Sequence, residues 1–203
     1  MLNPSSSEPK CFTTFKSKNN PHSYQDDCND YALRLCLREA LIEEQNFQCF
    51  YCEKKIENNT SKVHIDHIKQ RDPYHTLECE YSNMVLSCNG DKEKYCGKYK
   101  DKQERWDDNK FLRIVSENIE LQENPSDFFT YKSNGEVSIK KSLSENEKER
   151  AINTIEYLNL NHKDLVSTRE NIFSQLEIYK NAGYEIDEIS TFFNEFENLF
   201  KGY

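Results

Sequence analysis

The residues of this chain that could perform chemistry lie between positions 49 and 100, and the first of them are two pairs of cysteines. Cys49 and Cys52 form a C-x-x-C pair, and Cys88 and Cys96 form a second pair with a wider spacing. A structural zinc ion takes four such ligands in a tetrahedron, and each pair can supply two thiolates. The four cysteines together therefore predict a zinc site that stabilises the fold of this segment.

The wide spacing of the second pair leaves two alternatives open. Seven residues separate Cys88 from Cys96, whereas about two to four residues are usual between paired zinc ligands. The two pairs could instead be unrelated reduced thiols, or Cys79 could replace one member of the second pair. These alternatives differ in which thiols converge in the folded chain.

A segment rich in histidine and aspartate lies between the cysteine pairs. Along a strand, His64 and Asp66 point to one face and His67 points to the other. Asp66 can bind a hard divalent cation such as Mg²⁺, and a neutral His67 can take a proton from water. An isolated H-x-D-H sequence is more often a polar strand end, but the flanking cysteine pairs and Asn83 favour the catalytic interpretation.

The elements that must position these residues are predicted from periodicity and turn signals. Apolar residues at helical spacing predict a helix from about residue 29 to 45, leading into the first cysteine pair. The segment that follows is expected to form a short hairpin at the C-x-x-C pair, strands at 63–68 and 83–87, and a helix after the second cysteine pair.

The flanking regions define the predicted domain organisation. Residues 1–25 lack periodicity, so we expect an extended N-terminal arm docked through Phe12, Phe15 and Tyr24. Residues 26–113 would form the core with its preceding helix, and 114–203 a β-hairpin followed by a helical C-terminal region.

The C-terminal region carries its own local signals. Asn134 and Gly135 lie between two strand-like runs, which is typical of a hairpin turn. Helices are expected after the capping box at 144–147, across 164–181 and across 185–201. The last of these carries an aromatic stripe that would cover the chain's own core or a partner, formed by Phe192, Phe193, Phe196 and Phe200.

Composition and charge limit the class of protein. The chain has 203 residues with 35% hydrophobic content, no apolar run long enough to span a membrane and no secretory signal, so we expect a cytoplasmic protein with reduced thiols. Cys36 would then be a small core residue, while Cys11, Cys28 and Cys79 have no evident role.

The net charge of −9 is concentrated at the C-terminal end. Residues 49–113 carry 13 basic and 12 acidic side chains, whereas residues 114–203 carry nine basic and 17 acidic ones. A stand-alone nucleic-acid binder usually shows a basic footprint. We therefore expect weak nucleic-acid binding by the isolated chain, and a partner that supplies positive surface.

Taken together, these motifs resemble those of the HNH, or ββα-metal, endonucleases of the zinc-knuckle type. The matching motifs are Cys49–Cys52, Asp66-His67, Asn83–Cys88 and Cys96–Lys100. Further motifs resemble the PtuB-like nucleases of retron and Septu anti-phage defence systems. These are Tyr51–Glu53, Ser87–Gly90, the hairpin at Asn134-Gly135, and Leu158–Asn161 with Arg169 beyond it. The resemblance covers about residues 30–170.

The resemblance implies an α+β fold, with a zinc-stapled ββα-metal (HNH) core and flanking mainly helical segments. It also implies hydrolysis of a phosphodiester with catalytic Mg²⁺ or Mn²⁺. Asp66 would bind this metal and His67 would activate water. Asn83 would hold the loop that orients His67, and His64 would be a second polar group of the active site.

One position departs from the family pattern. Gly97 stands where the family has an Asn or His that completes the active site. Asn89 is the best substitute as a further ligand of the catalytic metal, and Asp91 is another candidate. Lys98 and Lys100 are candidate contacts to the scissile phosphate.

The resemblance also implies a biological setting. The chain would be the toxic effector of an anti-phage defence system, cutting DNA or a structured RNA such as tRNA together with a partner ATPase of the PtuA-like kind. A retron reverse transcriptase and its DNA/RNA product would be further partners. The alternatives are a catalytically inactive, zinc-stabilised assembly or recognition subunit, and a zinc-ribbon nucleic-acid binder without chemistry.

Overall fold

At the centre of the protein, two short antiparallel strands carry the residues of interest. The structure is a computed structural model that describes residues 1–2, 8–72, 74–115 and 119–182. Strand β1 (Val63–His67) pairs with β2 (Met84–Cys88), with Val63 opposite Cys88 and His67 opposite Met84. Both predicted central strands are thus confirmed, and their register brings the histidine- and aspartate-rich strand alongside the start of the second cysteine pair.

The helix before the first cysteine pair is confirmed and packs against β2. Helices α1 (Lys10–Asn19) and α2 (Tyr24–Asp27) precede it, and helix α3 spans Tyr31–Glu44. The Asp30 side chain accepts a hydrogen bond from the Leu33 backbone N–H at 2.8 Å, which satisfies one free donor at the start of α3.

Gln45 ties the end of α3 to the central strands. Its side-chain amide donates to the Leu86 carbonyl at 2.8 Å and accepts from the Leu86 N–H at 2.7 Å. The same amide nitrogen donates to the Gln48 carbonyl at 2.8 Å. Gln45 therefore pairs with β2 as a neighbouring strand would, and fixes the point where the chain enters the first cysteine pair.

The N-terminal segment is helical where an extended arm was expected. Phe12 and Tyr24 are buried and Phe15 packs on the core, so docking through these aromatics is confirmed. A disulfide joins Cys11 on α1 to Cys36 on α3. Cys36 is therefore not the free core thiol that its helical context suggested, because it faces α1 and bonds to it.

The predicted helix after the second cysteine pair is short. A tight turn, α4 (Gly90–Glu93), is followed by the single-turn helix α5 (Gly97–Lys100). Cys96 has a φ of 64°, and its backbone N–H donates to the Leu158 carbonyl at 3.0 Å. The start of α5 is thus held from the C-terminal region of the chain.

The C-terminal region contains the expected hairpin and helices. Strands β3 (Phe129–Tyr131) and β4 (Val137–Ile139) pair antiparallel, and helices α6 (Glu145–Tyr157) and α7 (Lys163–Asn181) follow. The capping box at the start of α6 is present. The predicted helix across 185–201, with its aromatic stripe, lies outside the described residues.

Arg169 joins the hairpin to the break between α6 and α7. Its guanidinium donates to the Leu160 carbonyl at 2.9 Å and to the Gly135 carbonyl at 3.2 Å, and it lies over the Tyr131 ring. Gly135 has a φ of 83°, and a Cβ there would lie 2.2 Å from the Val166 carbonyl oxygen. The turn therefore requires glycine for both its conformation and its close packing on α7.

The described residues between α5 and β3, 101–115 and 119–128, are largely irregular. Trp106 and Phe111 pack against Tyr157 near the end of α6. The described part of the protein is thus an α+β structure with two small two-stranded sheets. Among the described helices, none combines the length and apolarity needed to cross a bilayer.

We expect Gln45→Ala to destabilise the protein by about 1–3 kcal/mol, because it removes the acceptor of the buried Leu86 N–H, whereas the Leu86 carbonyl keeps the Phe50 N–H as a donor. Gln122→Ala, at an exposed position, serves as the control and should change the unfolding free energy by less than about 0.5 kcal/mol. Urea denaturation measures both. Equal stability of the two variants would contradict the role given to Gln45.

Candidate active site

Four buried thiols converge beside the central strands. The Sγ atoms of Cys49 and Cys96 are 3.9 Å apart, and those of Cys52 and Cys88 are 3.8 Å apart. All four Sγ atoms lie within 4.8 Å of one another. A tetrahedral ion with zinc–sulfur bonds of about 2.3 Å requires sulfur–sulfur separations of about 3.8 Å. This cluster could therefore hold a metal ion such as zinc.

The environment of Cys49 favours its thiolate form. Burial opposes ionisation, but hydrogen bonds from the thiols of the other three cysteines outweigh burial and lower the pKa of Cys49 well below its ordinary value. The Cys88 backbone N–H also donates to Cys49 Sγ at 3.3 Å. A thiolate held by neighbouring donors is the form that binds a metal.

The backbone between the second pair accounts for its unusual spacing. Asp91, Lys92, Glu93 and Cys96 all have positive φ, so the intervening residues fold into a compact loop that returns Cys96 to the cluster. Cys79 lies elsewhere, with its Sγ 3.9 Å from that of Cys28. The arrangement thus uses Cys88 and Cys96, and Cys79 does not join the other three.

A second cluster of possible metal ligands lies on one face of β1. One ligand atom each from His64, Asp66 and Asp101 falls within 4.8 Å of the others. His64 and Asp66 share this face as strand alternation predicts. The sequence interpretation missed Asp101, which directly follows α5. The sequence did contain one indication of its role. Asp101 lies four residues after Gly97, and residues four apart lie on the same face of a helix.

The missing side chain of Gly97 opens the space between these ligands. A Cβ at this position would lie 2.8 Å from Asp66 Oδ2 and 2.9 Å from His64 Nε2. Any larger residue would therefore push on both groups. Gly97 borders the cluster, as its position in the motif predicted. Because it has no side chain, it leaves space between the ligands at the position where the HNH motif has an Asn or His.

Asn89 orients His64 and stands outside the set of converging ligands. Asn89 Oδ1 lies 2.8 Å from His64 Nδ1, and Asn89 Nδ2 donates to the Ser61 carbonyl at 2.9 Å, which fixes the amide orientation. This assigns the proton to His64 Nδ1 and leaves a lone pair on Nε2. That nitrogen is buried without a hydrogen-bond partner among the described residues, so it is available to a cation.

Asp91, the other substitute ligand suggested by the sequence, is exposed. Its carboxylate pairs with Lys94 at 3.2 Å. The side chain that joins His64 and Asp66 in this structure is therefore that of Asp101. The three groups together offer one imidazole nitrogen and two carboxylates, a donor set that divalent cations accept.

Two buried groups fix the carboxylate of Asp66. The Tyr51 hydroxyl donates to Asp66 Oδ2 at 2.5 Å, and the Lys100 ammonium lies 3.3 Å from Oδ1. Burial and the negative charge of Asp66 both raise the pKa of Tyr51 well above its ordinary value, so the hydroxyl stays protonated. Tyr51 is a further residue of the site that sequence reasoning did not single out.

Lys100 is enclosed within the site. Its ammonium donates to the His67 carbonyl and to Asp101 Oδ1, both at 2.9 Å. Burial disfavours the charged form, but the attraction of Asp66 and Asp101 outweighs it and raises the pKa of Lys100. This position suits an electrostatic support for the two carboxylates. Lys98, by contrast, is half-buried and lines the neighbouring cavity.

His67 is held as a neutral imidazole. Its Nε2 lies 2.9 Å from the Glu78 carbonyl, which can only accept, so the proton is on Nε2 and Nδ1 keeps a lone pair. The Tyr24 ring packs edge-on against it, with the centroids 4.7 Å apart. Burial lowers the pKa of His67. The side chain thus has the protonation state that a general base needs.

Asn83 fastens the loop that follows His67. The Lys69 backbone N–H donates to Asn83 Oδ1 at 2.9 Å, and Asn83 Nδ2 donates to the carbonyls of Lys69 at 3.0 Å and Leu77 at 3.1 Å. The side chain is fully buried. These bonds hold both the exit of β1 and the segment that carries Glu78, the partner of His67.

An open cavity of about 1210 Å³ runs past both histidines and both carboxylates. Its lining is mixed in charge, with five cationic side chains (Arg34, Arg38, Arg71, Lys98 and Arg105) and five carboxylates (Asp26, Asp66, Asp72, Glu78 and Asp101). Counting charges along the chain did not indicate this arrangement, because the side chains come from separate segments that the fold brings together.

No family model matches this chain, and no curated protein matches it in sequence. The resemblance to HNH endonucleases therefore rests on the short sequence motifs.

Cys49→Ser and Cys96→Ser should each lower the metal content of purified protein and its stability, because a three-thiolate site binds zinc more weakly. Cys79→Ser is the matched control, since it removes a buried thiol outside the cluster. Elemental analysis by mass spectrometry measures the metal. Folded wild-type protein without bound metal would contradict the prediction.

Asp101→Asn should weaken Mn²⁺ binding by at least about tenfold, the scale seen when groups around a metal are altered. Asp91→Asn removes a nearby carboxylate outside the cluster and should bind as the wild type does. Isothermal titration calorimetry with zinc-loaded protein measures both. Equal affinities would exclude Asp101 as a ligand.

Proposed function

We propose that the chain is a metal-dependent endonuclease of the HNH type that hydrolyses nucleic-acid phosphodiesters. The observation that supports this most directly is the juxtaposition of two features on β1 at one open cavity. The Nε2 atom of His64, which has no hydrogen-bond partner among the described residues, converges with the carboxylates of Asp66 and Asp101. On the other face, His67 is a neutral imidazole whose Nε2 donates to the Glu78 carbonyl, so its Nδ1 carries a lone pair.

In this proposal each residue has a distinct task. His67 would take the proton from the attacking water through Nδ1. His64, Asp66 and Asp101 would hold Mg²⁺ or Mn²⁺, and the ion would supply charge stabilisation to the reacting phosphodiester. Asn83 keeps His67 in line by fixing the loop beyond it.

In this proposal, Tyr51 and Lys100 hold the metal-binding carboxylates in position. The hydroxyl and the ammonium restrain Asp66 through both of its oxygens, so little side-chain freedom is lost when a cation binds. The four cysteines would hold a structural zinc ion that supports β2 and the start of α5. The succession β1, β2, α5 agrees with the ββα order that the resemblance implies.

The substrate and the setting are proposed from the resemblance. The substrate would be DNA or a structured RNA such as tRNA, because the chemistry acts on the phosphate and is indifferent to the sugar's identity. The chain would be the toxic effector of an anti-phage defence system and act with a PtuA-like ATPase, which presents the strand or restrains the nuclease. A retron reverse transcriptase with its DNA/RNA product would complete the assembly.

A second function is favoured by the position of Lys100. Its ammonium already neutralises Asp66 and Asp101, so the two carboxylates have a cationic partner before any metal arrives. The chain could accordingly be an inactive, zinc-stabilised assembly subunit of the same complex. The two functions differ in whether a divalent cation and His67 are required for any cleavage.

We expect cleavage of plasmid DNA or total RNA with Mg²⁺ or Mn²⁺ to fall at least about 100-fold in His67→Ala, since general-base catalysis contributes about 10²–10⁴-fold. Asp66→Ala should lose activity to a similar degree. His22→Ala removes an exposed histidine outside the cavity and serves as the control. The assay includes the neighbouring ATPase.

Loss of activity in His67→Ala with an unchanged zinc content and circular dichroism spectrum would support the nuclease. Full activity of His67→Ala would refute the general-base role. No cleavage by the wild type under any of these conditions, together with stable binding to the ATPase, would favour the assembly subunit.

A further inference from the structure

Three arginines line the cavity without a carboxylate partner. Among the described residues, neither Arg34 nor Arg38 on α3, nor Arg71 beyond β1, forms an ion pair, although all three line the same cavity. The Nε atom of Arg38 is buried and has no hydrogen-bond partner among those residues. Half-buried guanidinium groups without anions are uncommon, because burial removes water without replacing it. Arg34 donates to the Cys28 carbonyl at 3.0 Å through Nε and lies over the Tyr24 ring, and Arg71 donates to Gln25 Oε1 at 3.4 Å. Because a guanidinium has five N–H donors, each arginine retains donors for an anionic ligand.

The carboxylates of the cavity wall are already engaged. Asp72 pairs with Arg105 at 3.0 Å. Glu78 accepts from the Tyr24 backbone N–H at 3.0 Å and contacts His75 at 2.9 Å. Asp26 accepts from the Ser23 hydroxyl at 3.0 Å.

Asp66 and Asp101 share the Lys100 ammonium. Lys98 likewise forms no ion pair in the described part of the chain, so it and the three arginines are the cations of the cavity that have no ion-pair partner there, with Arg71 also attracted to the Glu78 carboxylate.

An exposed aromatic ring accompanies two of these arginines. Tyr31, Arg34 and Arg38 are spaced three and then four residues apart on α3, so they share one face of the helix. The Tyr31 side chain is 75% exposed. A cationic row with an exposed ring beside it matches the way proteins hold single strands, in which phosphates contact the cations and a base stacks on the ring.

We propose that the cavity binds an unpaired stretch of a nucleic-acid strand, with phosphates on Arg34 and Arg38 and a base stacked on Tyr31. The strand runs along α3 and past Arg71 towards His67 and Asp66. This inference rests on the proposed function, which places the active site at the cavity, and it adds that the substrate is single-stranded there. The strand must be unpaired there, because a base inside a duplex cannot present its face to Tyr31.

The experiment measures binding separately from cleavage. Full-length protein carrying His67→Ala is titrated with fluorescein-labelled oligothymidylate, oligouridylate and a DNA duplex of the same length, by fluorescence anisotropy at several salt concentrations. Each phosphate contact to a single strand contributes about −0.7 to the slope of log K against log salt concentration. The double variant Arg34→Ala/Arg38→Ala should therefore show a slope smaller in magnitude by about 1.4.

Four further variants test the individual contacts. Arg34→Lys/Arg38→Lys keeps the charge and should restore most of the slope, which separates phosphate contact from a folding defect. Tyr31→Ala should weaken binding by about fivefold or more with an unchanged slope, whereas Tyr31→Phe retains it. Lys141→Ala removes an exposed cation outside the cavity and should bind as the parent does.

The outcomes separate this inference from the nuclease proposal. Preference for the duplex, or an unchanged slope in the arginine double variant, would overturn the inference. If the protein cleaves but these variants bind like their parent, the nuclease stands and the cavity assignment fails. If nothing is cleaved while binding depends on Arg34, Arg38 and Tyr31, the cavity assignment stands and the nuclease fails.

Discussion

The convergence of four thiols is the constraint on which the rest of the structure depends. Cys49 and Cys52 follow the end of α3, Cys88 ends β2, and Cys96 begins α5. Because their sulfur atoms lie within 4.8 Å of one another, these otherwise separate elements must meet at one point. The buried side chains of both central strands extend the surrounding hydrophobic core to this point, so the cluster and the core fix the arrangement together.

The geometry of the candidate active site follows from that arrangement. Pairing with β2 sets the direction of β1, and so sets which of its side chains face α5. The position of Cys96 sets the start of α5, which places Gly97 against β1 and brings Asp101 to the two ligands of the strand. The buried Lys100 ammonium and Tyr51 hydroxyl then restrain the carboxylate of Asp66 through an ion pair and a hydrogen bond. A site of this kind needs no large scaffold, because each ligand lies within a few residues of a cysteine or a paired strand.

The sequence was sufficient for features that depend on local patterns. The C-x-x-C pair, the two central strands, the capping box of α6 and the hairpin at Gly135 all have short-range signals, and the structure contains each of them. Asp101 was not predicted because its position depends on where the single turn of α5 begins. That start is set by the positive φ of Cys96, and hydrophobic periodicity does not indicate such a backbone conformation. The same holds for the disulfide between α1 and α3, and for the arginine-lined cavity. Both features combine residues that are distant in sequence, so neither local patterns nor charge counts along the chain indicate them.

The backbone bond between Cys96 and Leu158 has a consequence for the order in which the protein is completed during synthesis. The carbonyl that holds the start of α5 belongs to a residue made long after all four cysteines have left the ribosome. Until the end of α6 emerges and folds, the turn carrying Gly97 and Asp101 lacks this support. The three ligands reach their final spacing only when most of the chain exists.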